Sequence, residues 1–252
     1  MHSSPLITIA VPSLNQGRYL ADALRSIFAQ GLPVEVFIAD GGSSDESLEI
    51  IKEFAPQLAG WRSYPDAGQA AAINECIARG RAPYVCWLNS DDMLVPGGLA
   101  ALLVELEADP VLPAAYGRAW NLIYGAEKKS PVRVEPFDVR RLARRCIISQ
   151  PATLIRRSAW EAVGGLDENL RFGMDYDMWW RLYGKFGELR FVDHFVAINR
   201  DHAESKSRNN RYEHYREGAA VVRRHTRLAP WWTKLVPLRL RWQFARLRHW
   251  LT

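Results

Sequence analysis

The chain reads as an α/β protein with a doubly wound sheet flanked by helices, and three observations predict it. Apolar, β-branched runs at LITIAVPSL (6–14) and VEVFIAD (34–40) stop abruptly in turn residues, as buried parallel strands do. Between them Tyr19, Leu20, Leu24, Ile27 and Phe28 recur at helical spacing and Gly31 supplies a stop, giving a strand–helix–strand unit. The same alternation continues through the first hundred residues or so.

The remaining elements follow in order. In GGSSDES, Ser43 precedes Glu46 by three residues, a capping box that predicts a helix running to about Phe54. A third strand is expected near Trp61 to Tyr64, a helix from about Gln69 to Arg79 and a fourth strand at Tyr84 to Leu88. Pro96 and Gly97 introduce a helix over Leu99 to Ala108, which Pro110 and Pro113 end. Next come a strand, AAYGRAWNLIY, a polar loop, AEKKSPVRVEPFD, and a basic helix, VRRLARR. Residues 156–187 read as two helices around a glycine-rich loop, and LRFVDHFVAINR as a late strand. One domain over 1–217 is expected, with about 1–100 as a nucleotide-binding half and 101–217 as an acceptor half, followed by a C-terminal extension over 218–252.

Composition narrows the class. At 252 residues and 48% hydrophobic content, the chain can bury a full core, which excludes disorder as a whole. Cys76, Cys86 and Cys146 are odd in number and widely spaced, so reduced thiols and a cytoplasmic compartment are expected rather than a disulfide framework or a zinc site. The N-terminus lacks the pattern of a signal peptide, and no run of 18 apolar residues could span a membrane. The net charge of +5 is uneven: residues 218–252 hold eight basic and no acidic residues, leaving 25 basic against 28 acidic, a net −3, in residues 1–217. With Trp231, Trp232, Trp242 and Trp250, this tail has the composition of a segment lying on an anionic membrane surface, so a peripheral position on the inner face of the cytoplasmic membrane is expected and nucleic acid is not an expected partner. Packing against protein is the alternative role for the tail.

In an open α/β sheet, ligands bind beyond the carboxyl ends of the strands. Three polar groups fall there: Pro12 to Asn15, Asp40 with its two glycines, and Asn89 to Asp92. Each alone is explained by an ordinary turn; together they mark one crevice. Adjacent carboxylates repel a diphosphate, and a divalent cation held by hard oxygen ligands removes that conflict.

The ordered segments VPSLN, ADGGSSD, DAGQAAAINECI, WLNSDD and GGLDENLRFGMDYDMWWRL resemble a family 2 glycosyltransferase of the GT-A fold, a Rossmann-like mixed sheet, over about residues 6–207. The resemblance implies an inverting transfer of a sugar from a nucleotide diphosphate, UDP first, to the hydroxyl of a glycan or lipid-linked acceptor in bacterial cell-surface polysaccharide or lipid-linked glycan assembly. It makes Pro12, Ser13 and Asn15 part of the nucleotide cleft and Asp40 the acceptor for the donor base, with Asp66, Gly68, Asn74 and Asn89 along the nucleotide and sugar. It implies Mn²⁺ or Mg²⁺ on Asp91 and Asp92 with His202, and Asp91 beside the donor. Asn89 stands where the family's commonest form has a further Asp. Asp175 matches the catalytic base. Asp177, roughly 200° further around a helix, takes a supporting part with Arg181. Arg200, Ser205, Lys206 and Ser207 are implied as diphosphate contacts on a closing loop. Trp179 and Trp180 fit a core more readily than a sugar platform. Two rivals are a nucleotidyltransferase, for which VPSLNQGRY offers only one glycine, and a catalytically silent homologue that docks a membrane or partner.

Overall fold

The computed structural model describes residues 4–123, 128–202 and 210–229. The tryptophan-rich segment, Ser205, Lys206 and Ser207 lie outside the described residues. Strands are β1 (Ile7–Ser13), β2 (Val34–Asp40), β3 (Gly60–Ser63), β4 (Tyr84–Trp87), β5 (Met93–Leu94), β6 (Ala114–Ile123), β7 (Lys129–Pro131), β8 (Thr153–Arg156) and β9 (Arg190–Asp201). Helices are α1 (Gly17–Phe28), α2 (Ser47–Phe54), α3 (Gln69–Arg79), α4 (Gly98–Ala108), α5 (Val139–Arg144), α6 (Arg157–Ala162), α7 (Met174–Phe186) and α8 (Arg211–His225).

One mixed sheet runs β3-β2-β1-β4-β8-β6-β9-β5, with β7 paired to β6. The first four strands are parallel, β8 is antiparallel to β4 and β6, and β9 runs parallel to β6. The order reverses at β1, which has β2 on one side and β4 on the other. That switch point opens the crevice in which an α/β sheet holds its ligand. Ser13, Asp40 and Ser63 share one row across β1, β2 and β3, so their side chains arrive at the crevice at one level.

Apolar side chains cover both faces of the sheet. On one face Leu20, Leu24 and Ile27 of α1 and Leu99, Leu102 and Leu106 of α4 pack on β1, β2 and β9. On the other, Ile73 and Ile77 of α3 and most of α7 close over β4 and β6. Trp87 sits at the centre of that second layer, stacked on Trp179 at 6.0 Å and edge-on to Trp160 at 5.9 Å. Trp179 and Trp180 are thus core residues.

Two expectations fail for physical reasons. The Ser43–Glu46 capping box does not form, because the Ser43 N–H donates to Asp40 at 2.9 Å instead of to Glu46, and the Ser43 hydroxyl accepts the Asn15 N–H at 2.7 Å. Asp45 serves α2 instead, accepting from the Ser47 N–H at 3.1 Å. The expected boundary between 217 and 218 falls inside α8, whose Val221 and Val222 are buried in the core. The strands β5, β7 and β8 were not expected. Among the described residues no helix is long and apolar enough to cross a membrane.

Candidate functional site

The loops after β1 and β2 are knitted into one wall. Asn15 takes a left-handed backbone (φ 52°), its side-chain oxygen accepts the Ser44 N–H at 2.9 Å, and its own N–H donates to the Ser43 hydroxyl at 2.7 Å. Gly17 donates to Asp45 at 2.9 Å, and a Cβ there would stand 2.8 Å from the Ser47 nitrogen, so the first turn of α1 needs glycine to approach α2. Within this wall the buried Ser13 hydroxyl and the Gln16 side-chain carbonyl have no hydrogen-bond partner among the described residues. Pro12 is buried beside Ser13 at the end of β1. A buried hydroxyl without a partner is costly unless a ligand completes it, which suits Ser13 to a place in a ligand cleft.

Asp40 is built into the turn after β2. It is fully buried, and its oxygens accept from the N–H groups of Gly42 and Ser43 at 3.1 and 2.9 Å and from the hydroxyls of Ser43 and Ser63 at 2.5 and 2.7 Å. Three of these bonds converge on Oδ2 and one on Oδ1, so Asp40 builds the turn while Oδ1 keeps acceptor capacity.

Asp66 and Asn74 are also taken up by the framework. Asp66 pairs with Arg62 at 2.9 Å and accepts the Gly68 N–H at 2.9 Å. Gly68, at φ 122°, makes the turn into α3 and so presents Gln69 to Asn89, whose side-chain oxygen accepts at 2.8 Å. Asn74 holds the loop before α7, donating to the Leu166 carbonyl at 3.0 Å and to Glu168 at 2.9 Å and accepting from the Leu166 N–H at 2.9 Å. A Cβ on Gly165 would lie 2.7 Å from that same Asn74 oxygen. Asn74 is a loop anchor.

The loop after β4 separates its two carboxylates. Asp92 turns inward, accepting the Arg200 N–H of β9 at 3.0 Å and the Asn89 amide at 3.3 Å. Burial, reinforced by the charge of Asp91, pushes its carboxyl well above the ordinary range. Asp91 stays partly exposed, and its Oδ2 lies 3.1 Å from Nε2 of His202, the residue just past β9. His202 is buried and packs on Tyr19 of α1 with ring centroids 4.5 Å apart. The expected trio of Asp91, Asp92 and His202 is thus a carboxylate–imidazole pair, with Asp92 bonded into the framework. A carboxylate and an imidazole are a donor set that Mn²⁺ accepts, while Mg²⁺ favours oxygen alone. Among the described residues no cluster of three acidic, histidine or cysteine side chains forms around them. Arg200 does not reach toward this pair with its guanidinium: its two terminal nitrogens face Asp22 at 3.3 and 3.4 Å and its plane lies 5.2 Å over the Tyr19 ring.

On α7 the acidic pair also divides. Asp177 is fully buried and accepts from Arg181 at 2.7 Å, with His225 at 2.6 Å and Arg224 at 3.5 Å. Burial alone would raise its carboxyl, but the hydrogen bonds from His225 and Arg181 outweigh that and hold it below the usual range. Arg181 passes the tie on to the carbonyls of Val163 and Gly165, both at 2.6 Å. Asp175, in the first turn of the same helix, accepts at 2.7 Å from the adjoining Tyr176 N–H. Burial raises its carboxyl above the ordinary value; His214 opposes the shift and Glu217 adds to it. Trp179, one turn further along α7, stacks on Trp87 two residues before Asn89, so the helix bearing Asp175 rests on the strand that ends in the Asp91 loop.

Residues not foreseen complete the arrangement. Gln150 donates to the Trp87 carbonyl at 2.8 Å and accepts from Asn89 at 3.3 Å, bracing the Asp91 loop. Its position as one amide between Ile148 and Pro151, just before an apolar run, was the available signal. Glu217 of α8 accepts the N–H groups of Arg171, Phe172 and Gly173 at 3.1, 2.5 and 2.6 Å, satisfying donors at the start of α7 beside Asp175. No local pattern in the sequence points to that clamp.

The Glycosyl transferase family 2 profile matches residues 8–163 of the chain. The chondroitin synthase of Pasteurella multocida (strain Pm70) is 26% identical over 212 residues, covering 82% of this chain and 22% of the synthase. The hyaluronan synthase of Pasteurella multocida is 27% identical over 207 residues, covering 80% of this chain and 21% of that enzyme. The chain thus spans about a fifth of the length of these relatives. Among solved structures, S. aureus TarS 1-349 in complex with UDP-GlcNAc superposes with a TM-score of 0.68 at 16% identity, covering 85% of this chain and 66% of that one. The mannosyltransferase PcManGT from Pyrobaculum calidifontis, in complex with GDP-Man and Mn²⁺, gives 0.65 at 19% identity, covering 92% and 68%. The mixed sheet flanked by helices is the GT-A fold of these neighbours. With the profile spanning well over half of its length, the chain belongs to glycosyl transferase family 2.

Proposed function

We propose that the chain is an inverting glycosyltransferase that moves a sugar from a nucleotide diphosphate, UDP first, to a hydroxyl of a glycan or lipid-linked acceptor during cell-surface polysaccharide or lipid-linked glycan assembly. The names of the relatives support the polymer context, and the UDP-GlcNAc and GDP-Man held by the structural neighbours support a nucleotide-sugar donor. The observation that carries the reading is the Asp91–His202 pair, 3.1 Å apart at the meeting of the β4 loop and the end of β9.

In this mechanism Ser13 and the β1–α1 loop line the nucleotide, and Asn89, braced by Gln69 and Gln150, faces ribose and sugar. Asp91 and His202 would hold Mn²⁺ or Mg²⁺, and the cation when bound supplies Lewis-acid stabilisation to the departing diphosphate. Asp175 takes the proton of the acceptor hydroxyl as that oxygen attacks the anomeric carbon, in one displacement. Its raised carboxyl suits the task, because a base nearer neutral pH gains driving force for proton transfer. Asp92, Asp177 and Arg181 keep the two acidic loops in place. Ser205 and Lys206 serve the diphosphate, and the segment beyond Ala229 rests on anionic lipid; partition of a chain truncated at 229 between vesicle pellet and supernatant tests the lipid contact.

The direct test is a donor screen that follows nucleotide-diphosphate release with UDP-, GDP- and dTDP-sugars, with and without Mn²⁺. Mn²⁺-dependent turnover with one donor class is expected. Turnover untouched by EDTA would remove the cation from Asp91 and His202.

A further inference from the structure

On the acceptor side of the molecule, a cavity of about 400 Å³ is lined by Arg133, Glu135, Arg141, Arg144 and Arg145. Four arginines and one carboxylate line it, a surplus of three positive charges in a space large enough for a ligand fragment. Glu135 does not neutralise the cavity; it organises it. Arg133, Arg141 and Arg145 meet its two oxygens at 2.9, 3.1 and 2.5 Å, and Arg145 is fixed again by donating to the Arg133 carbonyl at 3.0 Å. The backbone beneath is equally fixed, since Tyr116 donates to the Glu135 carbonyl at 2.9 Å. Held guanidinium groups lose little freedom when they bind an anion bidentately, and their charge is independent of pH.

The segment that lines the cavity is tied to the helix turn that carries the proposed base. The Tyr176 hydroxyl, on the residue after Asp175, donates to the Leu142 carbonyl of α5, and burial together with the nearby Asp175 pushes up the thiol of Cys146, the residue after Arg145. None of these arginines is used in the mechanism above.

We propose that this cavity is an acceptor subsite that holds an anionic group, a carboxylate or phosphodiester, of the acceptor chain close to the sugar unit being extended. The inference rests on the transferase reading and adds the charge class of the acceptor to it. Such a site positions the growing end by a fixed charge while Asp175 acts on its hydroxyl.

The test titrates the full chain with four probes: a hexasaccharide alternating glucuronate and N-acetylglucosamine, an oligo(glycerol phosphate), neutral chitohexaose, and phosphatidylglycerol vesicles. At least one anionic oligomer is expected to bind about tenfold or more tighter than chitohexaose, with a preference that weakens as salt rises. Arg141→Gln with Arg144→Gln should abolish that preference while thermal unfolding and UDP affinity stay unchanged. Arg144→Gln alone, which leaves the Glu135 pairs intact, should reduce it. Equal binding of neutral and anionic oligomers, a preference that survives the double substitution, or binding to vesicles alone would each overturn the subsite, the last by making it a lipid contact. Selective, arginine-dependent binding without sugar turnover from any donor would support the anion site while sinking the transferase reading.

Discussion

Asp91–Asp92 and Asp175–Asp177 are the same chemical types placed close together in the chain, and the fold treats the two members of each pair oppositely. Asp92 and Asp177 are buried and bonded to β9 and to α8 with Arg181. Asp91 and Asp175 are left partly exposed, the first against His202 and the second on its own helix turn. A buried carboxylate must be satisfied by the protein, so the inward member fixes the loop and the outward member keeps capacity for chemistry. The contrast separates framework from reaction more sharply than residue type does.

The largest effect expected from breaking this contrast is at Asp175. Asp175→Asn should lower kcat about a thousandfold, the scale of a lost general base, with donor Kd unchanged by titration calorimetry. Asp177→Asn should instead cost about 3 to 5 kcal/mol of unfolding free energy, the scale of a broken buried ion pair, read by urea denaturation. Its carboxyl is depressed in the fold, so the stability it contributes is present above the unfolded value of about 4 and is lost as pH falls below it. The variant should therefore show a flatter acid limb than the wild type.

Smaller effects follow at the first pair. Asp91→Asn and His202→Ala should each weaken Mn²⁺ retention in the presence of UDP by about 10- to 100-fold in electron paramagnetic resonance titrations. Asp92→Asn should change it several-fold at most. Equal losses for Asp91 and Asp92 would erase the division. The smallest effect is at Glu217, which with His214 and Cys146 faces Asp175. Removing its charge in Glu217→Gln takes a like charge away from the base, so the acid limb of kcat should move to lower pH, by about one unit or less. A shift to higher pH would contradict the assignment.

The sheet was legible because strands such as ITIAVPS and VEVFIAD are apolar on both sides and end in turn residues. β8 escaped notice because its four residues lie between Pro151 and the immediate start of α6, and β5 because it has only two. At the site, Asp91, His202 and Asp175 could be placed by motif. The bonds of Asp40 to Ser63 and of Asn74 to the 166–168 loop could not, since those partners come from distant segments brought together only by the fold. The failed capping box carries the same lesson: the Ser43 N–H had two local carboxylates, Asp40 and Glu46, as acceptors, and the closed turn at Asp40 won.

The proposed single displacement, with Asp175 as base, has one most direct test. The measurement is the anomeric configuration of the new linkage, read by proton NMR coupling constants in product made from an α-linked nucleotide sugar. A β-linked product is the predicted result; an α-linked product would contradict the single displacement and the role of Asp175 as base.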